Sequence, residues 1–123
     1  EVVNRSGLLR EPIFTPNVGR FAQGMLVSIP LHVDLMNDAS LAAIHHCYHE
    51  HYSGQNIVEV VSLKDVAAAN RLDPQEMTGT DRMKLYVCGT AGAGQVNLVA
   101  SLDNLGKGAS GAAVQNMDIM LKG

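Results

Sequence analysis

The stretch MKLYVCGTAGAGQVNLVASL, residues 83–102, decides the fold. Met83, Leu85 and Val87 alternate with Lys84, Tyr86 and Cys88, and Val96, Leu98, Ala100 and Leu102 alternate again beyond the glycine-rich interval Gly89–Gly94. Period-two alternation marks a strand with one buried face, and glycines between two such runs supply the backbone freedom of a tight turn. The two runs are therefore predicted to form a β-hairpin.

Upstream, Met25, Val27, Ile29, Leu31 and Val33 repeat the alternation and predict a strand over residues 25–34. Pro30 falls inside it; because proline cannot donate to a ladder, that position belongs at a sheet edge or a bulge. Leu41, Ile44, Tyr48 and His51 recur at helical spacing, from a cap at Asp38 or Ser40 to the Ser53-Gly54 break, predicting an amphipathic helix over 40–52. Ile57–Leu63 is a β-branched run and reads as a strand. Residues 64–79 read mostly as loop, with a helical turn near 66–70. Ala109–Leu121, rich in Ala, Met and Leu and free of proline, reads as a closing helix. Near the start, Pro12 and Pro16 bracket Ile13-Phe14-Thr15, a short extended stretch. Residues 1–10 carry no clear period and read as the tail of an element begun upstream.

The order strand, strand, helix, strand, hairpin, helix holds few of the strand–helix–strand crossovers of a doubly wound sheet. The expected class is α+β, a mixed or antiparallel sheet with helices on one face, in one domain over 1–123.

With 46% apolar and 17% charged residues, the 123-residue chain has the composition of a folded domain. A net charge of −3 and nine scattered basic residues argue against nucleic acid or an anionic membrane as partner, since both need clustered Lys and Arg. No run of about 18 apolar residues is present, and the amino terminus lacks a signal-peptide layout, so the expected setting is cytoplasmic. Cys47 and Cys88 are expected to be free thiols. A first residue other than Met, and a stop soon after a helical segment, suggest a piece of a longer protein.

Three patterns bear on chemistry. His45, His46, Cys47, His49 and His51 lie on one helix, with His45 and His49, and Cys47 and His51, one turn apart; zinc takes such ligands, but the apolar stripe through Leu41, Ile44 and Tyr48 puts several imidazoles on the solvated side, and no second ligand pair occurs. The expectation is no metal site, with a metal-binding protein as one alternative. Gly106-Lys107-Gly108-Ala109-Ser110-Gly111 has the glycine pattern of a dinucleotide-binding turn between a strand and a helix, yet too little chain follows for a self-contained Rossmann unit. Either the turn borders a ligand or it is a tight strand-to-helix junction. Finally, neither cysteine has a recognisable base or the electropositive setting of a reactive thiolate, so no catalytic residue is assigned.

The string DNLGKGASGAAVQNMDIM, residues 103–120, resembles the terminal motif of the N-acetyl-gamma-glutamyl-phosphate reductase family. IFTPNVGRFAQGM, residues 13–25, resembles the same family, and IPLHVDL, HYSGQ and GTDRMKLYVCGT are similar to its shorter subtype. The resemblance implies a two-domain oxidoreductase of arginine biosynthesis, related in fold to glyceraldehyde-phosphate and aspartate-semialdehyde dehydrogenases. In that family a cysteine thiolate attacks the acyl phosphate N-acetyl-glutamyl 5-phosphate, and the thioester is reduced by NADPH to the 5-semialdehyde. The family's Pro-Gly-Cys-Tyr and His-x-His-x-Pro-Glu motifs are absent from this sequence; Glu1 would align with the last residue of the second, leaving the catalytic pair upstream and the piece alone inactive.

What the resemblance assigns here is supporting machinery. Asn104 and the turn Gly106, Lys107 and Gly108 are implied on the NADP side, with Asn104 toward the nicotinamide and Lys107 toward an anionic group. Arg20 and Gln23 are implied as substrate-binding, although many family members carry arginine near the Gln23 position. Residues 104–123 would pack on an NADP-binding domain through Ala112, Ala113, Met117 and Met120, and the sheet would pair with a second copy in a homo-oligomer. The competing reading is a non-catalytic assembly module.

Overall fold

In the computed structural model of the chain, residues 2–37 and 39–122 are described, so Asp38, offered as a helix cap, and Glu1, aligned to the family motif, lie outside the described residues. The elements run α1 (Val2–Ser6), β1 (Met25–His32), α2 (Leu41–His51), β2 (Val58–Val60), α3 (Leu63–Ala68), β3 (Met83–Gly89), β4 (Gln95–Leu102) and α4 (Gly111–Lys122). A 3-10 turn at Val33–Leu35 follows β1, and a π-helical turn at Gly106–Ser110 leads into α4.

The strands form one mixed sheet in the order β1-β4-β3-β2, antiparallel except for the parallel pair β2 and β3. The hairpin forms as the alternation predicts: Leu85 faces Ala100, Val87 faces Leu98, and Gly92 and Gly94 take positive φ in the turn. Pro30, opposite Asn97, lies on edge strand β1, where its missing N–H interrupts no inner ladder. This α+β sheet with packed helices is the architecture read from the sequence.

The two faces follow from register. A Cβ on Gly89 would stand 3.2 Å from Leu41 Cδ1, so the start of α2 lies over the face shared by Gly89, Val87 and Leu85. His45 ties the same helix to the chain beyond β2, its Nε2 being 3.1 Å from the Val61 carbonyl oxygen. On the opposite face, Glu76 from the 69–82 loop accepts from both Lys84 Nζ and Tyr86 Oη. Val87, Tyr86, Val96, Val99 and Leu102 are buried along the two central strands, and Met77 joins them from the loop. Because both faces are covered at this centre, the core needs no aromatic beyond Tyr86.

Three expectations change. The β-branched run 57–63 gives only Val58–Val60 as strand, because Ser62 caps a helix instead: its Oγ accepts from Asp65 N and donates to Asp65 Oδ2, so α3 begins at Leu63 inside that run and meets the helical turn expected near 66–70 only as far as Ala68. Ile13–Thr15 forms no strand; the flanking prolines keep it extended, and no ladder partner meets it among the described residues. The closing helix starts at Gly111 rather than Ala109, since Ser110 N bonds Leu105 O in the wider π turn.

Candidate functional site

The end of β4 collects the backbone of three segments. Asp103, 2% exposed, accepts from Gly79 N (2.7 Å) through one carboxylate oxygen and from Leu105 N (2.8 Å) through the other. Its backbone carbonyl accepts from Gly108 N at 2.9 Å. The amides of Gly79 and Leu105, with that of Gly106, hold the Asp103 carboxyl below the usual carboxylate range. A buried carboxylate without a cation is satisfied here by N–H groups aimed at it.

Next to it, half-buried Asn104 accepts from Gly24 N (2.9 Å) through Oδ1. That bond spans 80 residues of chain and fixes the segment leading into β1 against the turn leaving β4. Gly24 is required there: its φ is +107°, and an added Cβ would come within 2.9 Å of Gln75 Cα and nearer still to the Pro74 carbonyl oxygen. Thr78 Oγ1 also donates to the Gln23 carbonyl at 3.4 Å. Asn104 then borders an open hollow of about 470 Å³ whose wall includes Asn17, Phe21, Gly24, Leu26 and Pro74.

The glycine-rich turn has close neighbours within its own chain. A Cβ on Gly106 would press on the Thr80 carbonyl oxygen, one on Gly108 would lie 3.2 Å from the Asp103 carbonyl oxygen, and one on Gly111 would overlap the Asp81 carboxylate. This crowding by itself accounts for the glycine pattern as a tight strand-to-helix junction. Lys107 is bent back onto α4, where its ammonium donates to Gln115 Oε1.

The structure brings Asn104 beside the segment that carries Arg20 and Gln23. Arg20 is exposed and Gln23 half-buried, and neither lines the hollow; Lys107 does not line it either. His45 and His49 stack with centroids 6.3 Å apart, and among the described residues no group of three or more His, Cys, Asp or Glu could hold a metal ion. Cys47 is exposed on α2, while burial pushes the Cys88 thiol up, away from thiolate character. Both are free.

Sequence reasoning passed over Asp103 and the Thr78–Gly79 loop. The available signal was an acid directly after a buried strand and before Asn104 and a glycine run, a place where unpaired backbone amides converge.

A family model described as semialdehyde dehydrogenase, dimerisation domain, matches residues 2–104. Among curated proteins the chain is similar to the N-acetyl-gamma-glutamyl-phosphate reductase of Rhizobium meliloti (strain 1021), 60% identical over 117 residues, which are 94% of this chain and 38% of that protein. The reductase of the same name from Sinorhizobium medicae (strain WSM419) is 59% identical over the same coverage. That of Brucella ovis (strain ATCC 25840 / 63/290 / NCTC 10512) is 60% identical over 113 residues, 91% of this chain and 36% of the relative. The chain therefore spans less than two-fifths of the length of these relatives.

Proposed function

This chain belongs to the semialdehyde dehydrogenase dimerisation-domain family, and on that premise we propose that it is the substrate-side and dimerisation part of an NADP-dependent N-acetyl-gamma-glutamyl-phosphate reductase of arginine biosynthesis, working in the cytoplasm. The observation that carries the reading is the identity of about 60% across 94% of the chain to reductases of that name.

The chemistry divides between this chain and the rest of the parent protein. Reduction of the acyl phosphate N-acetyl-glutamyl 5-phosphate to the semialdehyde needs a thiolate nucleophile to displace phosphate and form a thioester. Neither cysteine here suits that role, since Cys88 is held protonated in a strand and Cys47 sits on an open helix face. The nucleophile and its base come from the remainder of the parent. NADPH supplies the hydride when bound.

Asn104 fits a contribution to nicotinamide binding. With Oδ1 committed to Gly24 N, the amide is held in one orientation and its Nδ2 stays available to donate to a carboxamide oxygen. Gly106 lets the turn approach the Thr80 backbone and Gly108 lets it approach the end of β4, and Lys107 reaches an anionic group only by leaving Gln115. Arg20 and Gln23 serve the substrate's phosphate or carboxylate from the segment that Asn104 anchors.

The sheet supplies a surface for a second copy. Val27 and Ile29, 41% and 50% exposed, lie in register with Ala100 and Leu98, extending an apolar face past the edge of α2. α4 leaves Met117 and Met120 uncovered, which suits packing on the nucleotide-binding part of the parent.

The test is the purified parent protein, assayed for NADPH oxidation dependent on the acyl phosphate and for phosphate release. Asn104→Ala is expected to raise the KM for NADPH about tenfold, the loss of one well-placed hydrogen bond. A parent protein that oxidises no NADPH with this substrate overturns the reading.

A further inference from the structure

The cofactor-side turn and the substrate-side segment are widely separated in sequence, yet one dipeptide at the end of β4 holds both. Asn104 bonds Gly24 N in the segment that carries Arg20 and Gln23, while its neighbour Asp103 bonds Leu105 N in the glycine turn and Gly79 N in the loop. The Pro74–Thr78 part of that loop in turn walls Gly24 and holds the Gln23 carbonyl. The contacts close a ring: Asp103 to Gly79, along the loop to Pro74 and Gly24, across to Asn104, and back to Asp103.

We propose that Asp103 is a positioning residue whose buried carboxylate locks this ring, so that the 20–24 segment and the 104–108 turn are held as one rigid unit and Asn104 keeps a single orientation. Its consequence for catalysis rests on the reductase reading; the mechanical part does not. Asp103 is 2% exposed and buried beside the turn's backbone, so it touches neither substrate nor cofactor and acts through Asn104. Two properties suit it to the task. A carboxylate is acceptor-only, with an oxygen for each of the two N–H groups, whereas an asparagine at this place must turn its NH₂ toward one of them. The acidic side of the ring is also permanent near neutral pH, because the converging amides favour the ionised form.

The experiment uses the parent protein and two readouts. The first is amide exchange at Gly24, which bonds Asn104 and not Asp103. Asp103→Asn is expected to speed exchange at Gly24 by about tenfold, together with Gly79 and Leu105, because opening the ring frees all three segments. Faster exchange at Gly79 and Leu105 with Gly24 unchanged overturns the proposal, since the carboxylate would then be a local clasp. The second is a double-mutant cycle of Asp103→Asn with Asn104→Ala, read in kcat/KM for NADPH. If Asp103 acts through Asn104, the first substitution adds little once Asn104 is gone; additive losses overturn the proposal. If Asp103→Asn does not fold, Asp103→Glu keeps the charge, displaces it by one methylene, and is read in the same way. A wild-type parent without reductase activity sinks the functional reading alone, and Gly24 exchange then decides the positioning role by itself.

Discussion

Replacing Gly24 by alanine separates two costs that usually come together. At φ +107° any L side chain is strained, and the added Cβ also meets the backbone of Pro74 and Gln75, within 2.9 Å of Gln75 Cα. Gly54 is the internal control, with φ +79° and nothing within 4 Å of its hypothetical Cβ. Strain alone is worth about 1–2 kcal/mol. The backbone of a loop cannot rotate aside as a flexible side chain would, so at Gly24 relief requires the 23–24 segment and the 73–78 loop to move apart. That movement gives up the Thr78 to Gln23 bond on the loop's side and draws Gly24 N off Asn104 on the segment's side, each bond worth about 0.5–1.5 kcal/mol net. Gly24→Ala should therefore cost about 2–5 kcal/mol, against about 1–2 kcal/mol for Gly54→Ala. Urea unfolding of the two variants beside the wild type gives both numbers, provided the slope is unchanged. Equal losses at the two glycines would refute the reasoning, because they would show that the contact with Pro74 carries no cost beyond positive φ.

Three further outcomes follow from the same structure. Glu76→Gln, which weakens the bonds to Lys84 and Tyr86 on a partly exposed site, should cost about 1–2 kcal/mol in chemical denaturation. The bonds from Lys84 and then Tyr86 lower the Glu76 pKa from 4.5, so its stabilisation is complete above the unfolded-state value and disappears as pH falls through the lower folded value. Wild-type stability should thus fall below about pH 4.5 more steeply than that of Glu76→Gln, and parallel curves would count against it. Ile29→Lys, placing a charge on the open apolar face, should shift the protein toward monomer in sedimentation velocity, while Ser28→Lys on the other face should not; an unchanged dimer in Ile29→Lys would remove that face from the interface. Under native conditions, alkylation followed by mass spectrometry should label exposed Cys47 well before Cys88, whose thiol burial raises; comparable rates would contradict that burial.

Local pattern sufficed wherever one segment determines its own conformation. The hairpin, edge strand β1 with Pro30, α2 from its Ser40 cap, and the last helix were legible because alternation, helical spacing and turn glycines are properties of neighbouring residues. The resemblance of residues 103–120 likewise marked the family. What misled was competition between signals: a β-branched run suggested a long strand where the Ser62 and Asp65 cap had already begun α3.

The sequence by itself determined the α+β class, the strand alternation and the family. Only the tertiary structure decided that Asn104 meets Gly24 from 80 residues away, that Asp103 is buried among backbone amides, and that Gly106, Gly108 and Gly111 are small because the chain itself crowds them. The physical reason is that these are contacts between segments distant along the chain, and such contacts leave no periodic trace in either participant. A buried acid looks the same in sequence as a solvated one until the amides that satisfy it are brought together by the fold.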